Sequence, residues 1–193
     1  MESGKTMTKR DILRYVAALA AFFALGCGAA LILRAYDRQA DTPTPLTGGQ
    51  LLDLSAFGFT LRVPDAYALY DLTQDHLSAG GDALFAGCAS GEGQTLYLYC
   101  YRNEQGDAID DYAEQELVTY YVSAGGEDVR TRTLGGRRFI CYSAQVLSDE
   151  DGEAQLWHTY ETWDGELHLV FETQLAARDA LPMLATLEFN QHE

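Results

Sequence analysis

Lysine is almost missing from this chain of 193 residues: Lys5 and Lys9 are the only two, and none follows them. Residues 41–193 hold seven Arg against 26 Asp/Glu, a net charge of −19, whereas residues 1–40 hold six Lys/Arg against three Asp/Glu. A stretch so acidic repels phosphate backbones and anionic headgroups, which excludes nucleic acid and acidic lipid surfaces as its ligands. The carboxylates are scattered rather than blocked, as on a solvated surface. Catalytic and metal-binding patterns are scarce too. There is no His-x-x-x-His, His-x-His or Cys-x-x-Cys spacing for zinc and no Gly-x-Ser-x-Gly for a serine nucleophile. Gly80-Gly81, Gly87, Gly91 and Gly93 lack the Lys-Ser/Thr of a phosphate loop and read as turns. Asp110-Asp111 suits a helix start, and Asp149-Glu150-Asp151 a hairpin tip. A divalent-ion site over 149–153 lacks EF-hand spacing. The expectation is a protein that is not an enzyme and holds no cofactor or metal.

Long apolar runs are also absent, with one exception. From Tyr15 to Leu33 there are 19 consecutive residues without a charged or strongly polar side chain. As a helix they span about 28 Å, close to the hydrocarbon thickness of a bilayer. Lys5, Lys9, Arg10 and Arg14 precede the run and only Arg34 and Arg38 follow it, so residues 1–14 are expected in the cytoplasm and the rest outside the cell membrane. A cleaved signal would end near Gly26-Cys27-Gly28, but the apolar run continues through Ala29–Leu33, which favours a retained single-pass anchor over cleavage or a lipidated Cys27. The Ala24-x-x-x-Gly28 spacing would let two such helices approach closely, although it arises easily by chance in an Ala/Gly-rich span.

Residues 34–50, with Pro43, Pro45, Gly48 and Gly49, have the composition of a linker, and residues 51–193 are enough for one domain with its own core. Alternation and turn residues predict strands over 57–63, 66–72, 82–89, 94–101, 129–134, 137–147, 155–163 and 166–173. Helical spacing predicts helices over 107–124 and 176–186, with Pro182 inside the second. Hairpin turns at Asp151-Gly152 and Asp164-Gly165 would gather Phe139, Cys141, Tyr160, Leu169 and Phe171 on a core face. The other face would hold Ile140, Tyr142, Trp157, Glu161, Trp163, His168 and Val170, too apolar to lie wholly in water. The expected fold is therefore α+β: an antiparallel meander with a helix on each side.

In that register His168 stands directly across from Glu161, beside Trp157 and Trp163. These four residues are the candidate patch for a ligand or partner, weighed against an ordinary cross-strand charged pair, which is the commoner occurrence. Tyr97, Tyr99 and Tyr101 share one strand face; such a row more often lies under a helix, here the one over 107–124, than at an interface. Cys88 and Cys100 flank one turn, with Cys88 expected opposite Leu96 and Cys100 opposite Leu84, too far apart to bridge. Cys100–Cys141 would need neighbouring strands. Buried free thiols are expected.

The run Phe59-Thr60-Leu61-Arg62-Val63-Pro64-Asp65-Ala66-Tyr67 resembles the opening strand of the PsbP-like α/β/α sandwich superfamily. Asp110-Asp111-Tyr112-Ala113-Glu114, Leu134-Gly135-Gly136-Arg137-Arg138-Phe139 and 181–189 are similar to later segments of that fold. The superfamily includes photosystem II extrinsic proteins and anchored bacterial extracytoplasmic domains. The resemblance implies a fold and a role in binding or assembly, and it transfers no site residues; the basic surface suited to a photosynthetic complex is missing. The expected function is a non-catalytic, membrane-tethered extracytoplasmic module whose partner is another membrane or envelope protein. The alternative is a small-ligand sensor or carrier using Trp157, Trp163, Glu161 and His168.

Overall fold

Ten strands and three α-helices account for most of residues 43–104, 111–147 and 152–189, which a computed structural model describes. The expected cytoplasmic segment, the membrane anchor with Cys27, Asp110, the tip at Asp149-Glu150-Asp151 and His192 lie outside the described residues. Among the described residues no helix is long and apolar enough to cross a membrane.

The strands are β1 (Gln50–Leu54), β2 (Phe59–Val63), β3 (Ala68–Asp71), β4 (Phe85–Gly91), β5 (Gln94–Arg102), β6 (Glu127–Leu134), β7 (Arg137–Leu147), β8 (Ala154–Asp164), β9 (Leu167–Thr173) and β10 (Glu188–Phe189). The helices are α1 (Thr73–Ser78), α2 (Asp111–Ser123) and α3 (Ala177–Leu184). β1, α1 and β10 were not expected; the other elements match within a few residues. The architecture is α+β and rich in sheet.

The seven-stranded sheet runs β3-β4-β5-β9-β8-β7-β6, and a three-stranded sheet runs β1-β2-β10. Each pairing is antiparallel. The expected single meander is thus two meanders, β3-β4-β5 and β6-β7-β8-β9, joined where β5 pairs β9. Going from β5 to β6 means crossing four strand spacings, about 19 Å. The 13 residues of α2 rise about 20 Å, long enough to carry the chain across.

One face of the large sheet is the core face foreseen from alternation. Leu98, Cys100, Leu169, Phe171, Tyr160, Phe139 and Cys141 are buried there. They pack with α3, through Ala180, Leu181, Met183 and Leu184, and with the small sheet, through Leu52, Leu54, Phe59, Leu61 and Val63. Within the stretch expected as linker, Leu46 packs on this core and its N–H donates to the Pro182 carbonyl at 2.9 Å. The β6–β7 turn has both glycines in the left-handed region, and a Cβ on Gly135 would lie 2.4 Å from the Ala185 carbonyl oxygen. That close approach requires glycine. The opposite face is partly covered by α1 and α2, so helices do lie on both faces of the sheet.

Candidate functional site

The second face owes its chemistry to two registers. A hairpin turn at Asp164-Gly165 would set His168 opposite Glu161. The two loop residues are instead Gly165, with φ 54, and Glu166. This two-residue slip leaves every side chain on its expected face but pairs His168 with Trp163 and Glu161 with Val170. The rings of His168 and Trp163 stack at 4.2 Å and 5°. Tyr101 pairs His168 from the other side, with ring centroids 5.7 Å apart. Tyr101, His168 and Trp163 therefore form one aromatic row across β5, β9 and β8.

Glu161 lies beside this row, two positions before Trp163 on β8 and on the same face, and is 4% exposed. Its Oε2 accepts from His168 Nε2 at 2.9 Å and from the Tyr121 hydroxyl at 2.8 Å; Oε1 accepts from the Tyr142 hydroxyl at 2.9 Å. A buried carboxylate is tolerated when donors surround it, as these three do. Burial, and then the charge of Glu161, push both phenols up, so they stay protonated and keep donating. Tyr121 comes from α2 and stacks on Tyr142 at 4.3 Å, while Glu114 of the same helix pairs with Arg138 at 3.0 Å. Sequence reasoning missed Tyr121 and Tyr142 as partners because Tyr121 lies 40 positions from Glu161 and joins it only through packing.

Above the aromatic row a cleft of about 850 Å³ opens between the sheet and α2. Tyr101, His168 and Trp163 line it together with Glu116, Leu117 and Tyr120 of α2 and Asp82, Arg102 and Glu104 opposite. Among the described lining residues Arg102 is the one permanent cation against three carboxylates.

Trp157 does not join this group. It lies six positions from Trp163 along β8, about 20 Å away, with its ring 5.7 Å from Tyr97. The structure thus brings Glu161, Trp163 and His168 together and sets Trp157 at the far end of the same face. The tyrosine row of β5 is not under α2, which packs over β6 and β7. His76 of α1 covers part of it instead, 5.5 Å from Tyr99 and 6.4 Å from Tyr101.

The β4–β5 register differs from expectation by one residue, because the turn is Glu92-Gly93 with both φ positive. Cys88 pairs with Tyr97, and Cys100 with Phe85, so the two cysteines point to opposite faces. Cys141 shares the core face with Cys100 but lies on β7, with β9 and β8 between the two strands. All three thiols are buried and outside any disulfide, and burial raises Cys100 to about 11, which suppresses the thiolate. His158 points to the face opposite His168, as expected; its Nδ1 is 2.8 Å from the Ser143 hydroxyl, and burial lowers its affinity for a proton. Among the described residues no group of three His, Cys, Asp or Glu is placed to hold a metal ion.

No protein-family model matches the chain, and no curated protein matches it in sequence. A crystal structure of a protein from Bacteroides thetaiotaomicron VPI-5482 is similar to it in fold, with a TM-score of 0.51 at 14% identity. The likeness covers 75% of this chain and 49% of that one, so the chain spans about half the length of that protein.

Proposed function

We propose that residues 51–193 are a non-catalytic binding domain on the outer face of a membrane, tethered by a helix over 15–33. The partner is another membrane or envelope protein that presents a lysine or arginine side chain to the cleft above Tyr101, His168 and Trp163. The observation that carries this reading is the pairing of an aromatic floor with walls bearing Asp82, Glu104 and Glu116. A cation over an aromatic face gains about 0.5–2 kcal/mol, more as water is excluded, and carboxylates at the rim steer it inward. Helices on both faces of a large antiparallel sheet support the PsbP-like reading of the fold, and with it a role in binding or assembly. A second reading, a carrier of a small organic cation, draws on the cleft volume of about 850 Å³, which lies in the usual range for small-molecule sites.

The test is cross-linking and capture of the full-length protein from intact membranes, with residues 51–193 deleted as control and Trp163→Ala and Glu116→Gln as variants. A recurrent partner lost on deletion and weakened by both variants supports the proposal. A partner retained by both variants removes the cleft from it, and no partner above the control sinks it. Trp163 quenching by arginine or tetramethylammonium, without any captured protein, would select the small-cation reading.

A further inference from the structure

The far end of the same sheet face carries a second site, chemically unlike the cleft and independent of the function proposed for it. A depression of about 530 Å³ there is lined by Tyr97 and Trp157, by Thr95, and by Gln94, Gln155 and Gln174, with Asp179 at its edge. Pairing explains the assembly. Tyr97 lies opposite Glu172, and Glu172 opposite Thr159, so Thr95, Tyr97, Gln155 and Trp157 all project from one side of the sheet. Gln174 continues β9 toward α3.

We propose that this depression binds a neutral saccharide. The rings of Tyr97 and Trp157, 5.7 Å apart and inclined at 44°, form an angled platform rather than a closed stack. Both residues are partly exposed, as a platform requires. Pyranose rings offer C–H faces that pack on such surfaces and equatorial hydroxyls that both donate and accept. Amide side chains are the natural complement, since each carries two donors and an acceptor without charge. Gln174 donates through Nε2 to Gln155 Oε1 at 2.6 Å, which orients the pair and leaves the Gln155 amide nitrogen and the Gln174 carbonyl for a ligand. Gln94 Oε1 accepts from the Tyr67 hydroxyl at 2.9 Å, which frees the Gln94 amide nitrogen in the same way. Among the described lining residues Asp179 alone is charged, with its exposed neighbour Arg178 3.3 Å away, and the rest of the lining is neutral. Uncharged aromatic and amide groups at this density suit a polyol.

Two tryptophans allow a clean readout. In full-length protein carrying Trp163→Phe, Trp157 alone reports, and it is titrated with neutral tetrasaccharides built from β-1,4-glucose, α-1,4-glucose, β-1,4-mannose and β-1,4-N-acetylglucosamine. The expected result is saturable quenching or a blue shift with at least one of them. Gln174→Ala, at an exposed position, is expected to weaken binding about threefold to tenfold, and Trp157→Ala, read by calorimetry, by more than about tenfold. Circular dichroism shows that each variant is folded; Gln174→Ala alone decides the matter if Trp157→Ala is not. No response to any of the four sugars at millimolar concentration overturns the proposal. So does binding indifferent to Gln174→Ala, or binding of a proline-rich peptide in place of all the sugars.

Discussion

The two faces of the seven-stranded sheet are built from the same strands by opposite rules. On the core face Leu98, Cys100, Leu169 and Phe171 are all but inaccessible and carry no group that needs a partner beyond the weak thiol. On the other face Tyr97, Tyr99, Tyr101 and His168 stay half-covered, and Glu161 is buried as an acid with three donors around it. Apolar burial supplies most of the folding free energy, and the main hydrophobic cluster lies on the core face. The second face spends stability on polar groups, so it is the face to search for recognition. Its cover is incomplete: α2 sits over β6 and β7, α1 sits over β4 with His76 reaching Tyr99 and Tyr101 of β5, and β9 lies between them.

The sharpest way to break this contrast is to cut into each face in turn. Phe171→Ala removes a fully buried ring from the core face and should cost about 3–5 kcal/mol. Urea unfolding followed by tryptophan emission measures it, and a loss under about 1 kcal/mol would mean the core is not organised as described. On the other face, Glu161→Gln keeps the volume but replaces one accepting oxygen with an amide nitrogen. Either Tyr142, or Tyr121 and His168 together, then lose their acceptor, and the expected loss is about 1–3 kcal/mol. A neutral or stabilising result would show that the carboxylate is not the hub of the network.

The smallest effect has the opposite sign. Glu172 is pushed up, first by burial and then by the charge of Glu161, so the folded state binds its proton more tightly than the unfolded chain does. Its ionisation therefore costs stability, and that cost is absent below the ordinary glutamate value of 4.5 and grows as pH rises through the folded value. Glu172→Gln should raise the unfolding midpoint at pH 7 by a degree or so, on the order of what a few tenths of a kcal/mol produces, and should lose that advantage in acid. A variant less stable at neutral pH would refute the sign.

What the sequence made legible followed periodicity. The strands from Arg137 to Thr173 alternate so cleanly that both faces were assigned correctly even though the β8–β9 turn was placed one residue early, because a slip of two keeps parity. The β4–β5 turn was displaced by half as much, and there parity failed: Cys88 was set against Leu96 rather than Tyr97. β1 was hidden in a Gly-rich approach, and α1 has six residues, too few for a periodic signal. Of the candidate patch, Glu161, Trp163 and His168 were legible because one hairpin holds them. Tyr101 and Tyr121 were not, since each arrives from a segment whose docking depends on the whole sheet.

The pairing of β5 with β9 also sets an order of events during synthesis. When β5 is complete at Arg102, the strand that will cover its open edge begins at Leu167, 65 positions further on. At about 5–20 residues per second, a Tyr- and Leu-rich edge waits several seconds without its partner. β3, β4 and β5 can form a sheet in that interval, but its growing side has unpaired N–H and C=O groups ready to accept any other strand. The last hairpin is therefore the closing piece of the large sheet, and a chain that stops before Thr173 is left with an adhesive edge in place of its central seam.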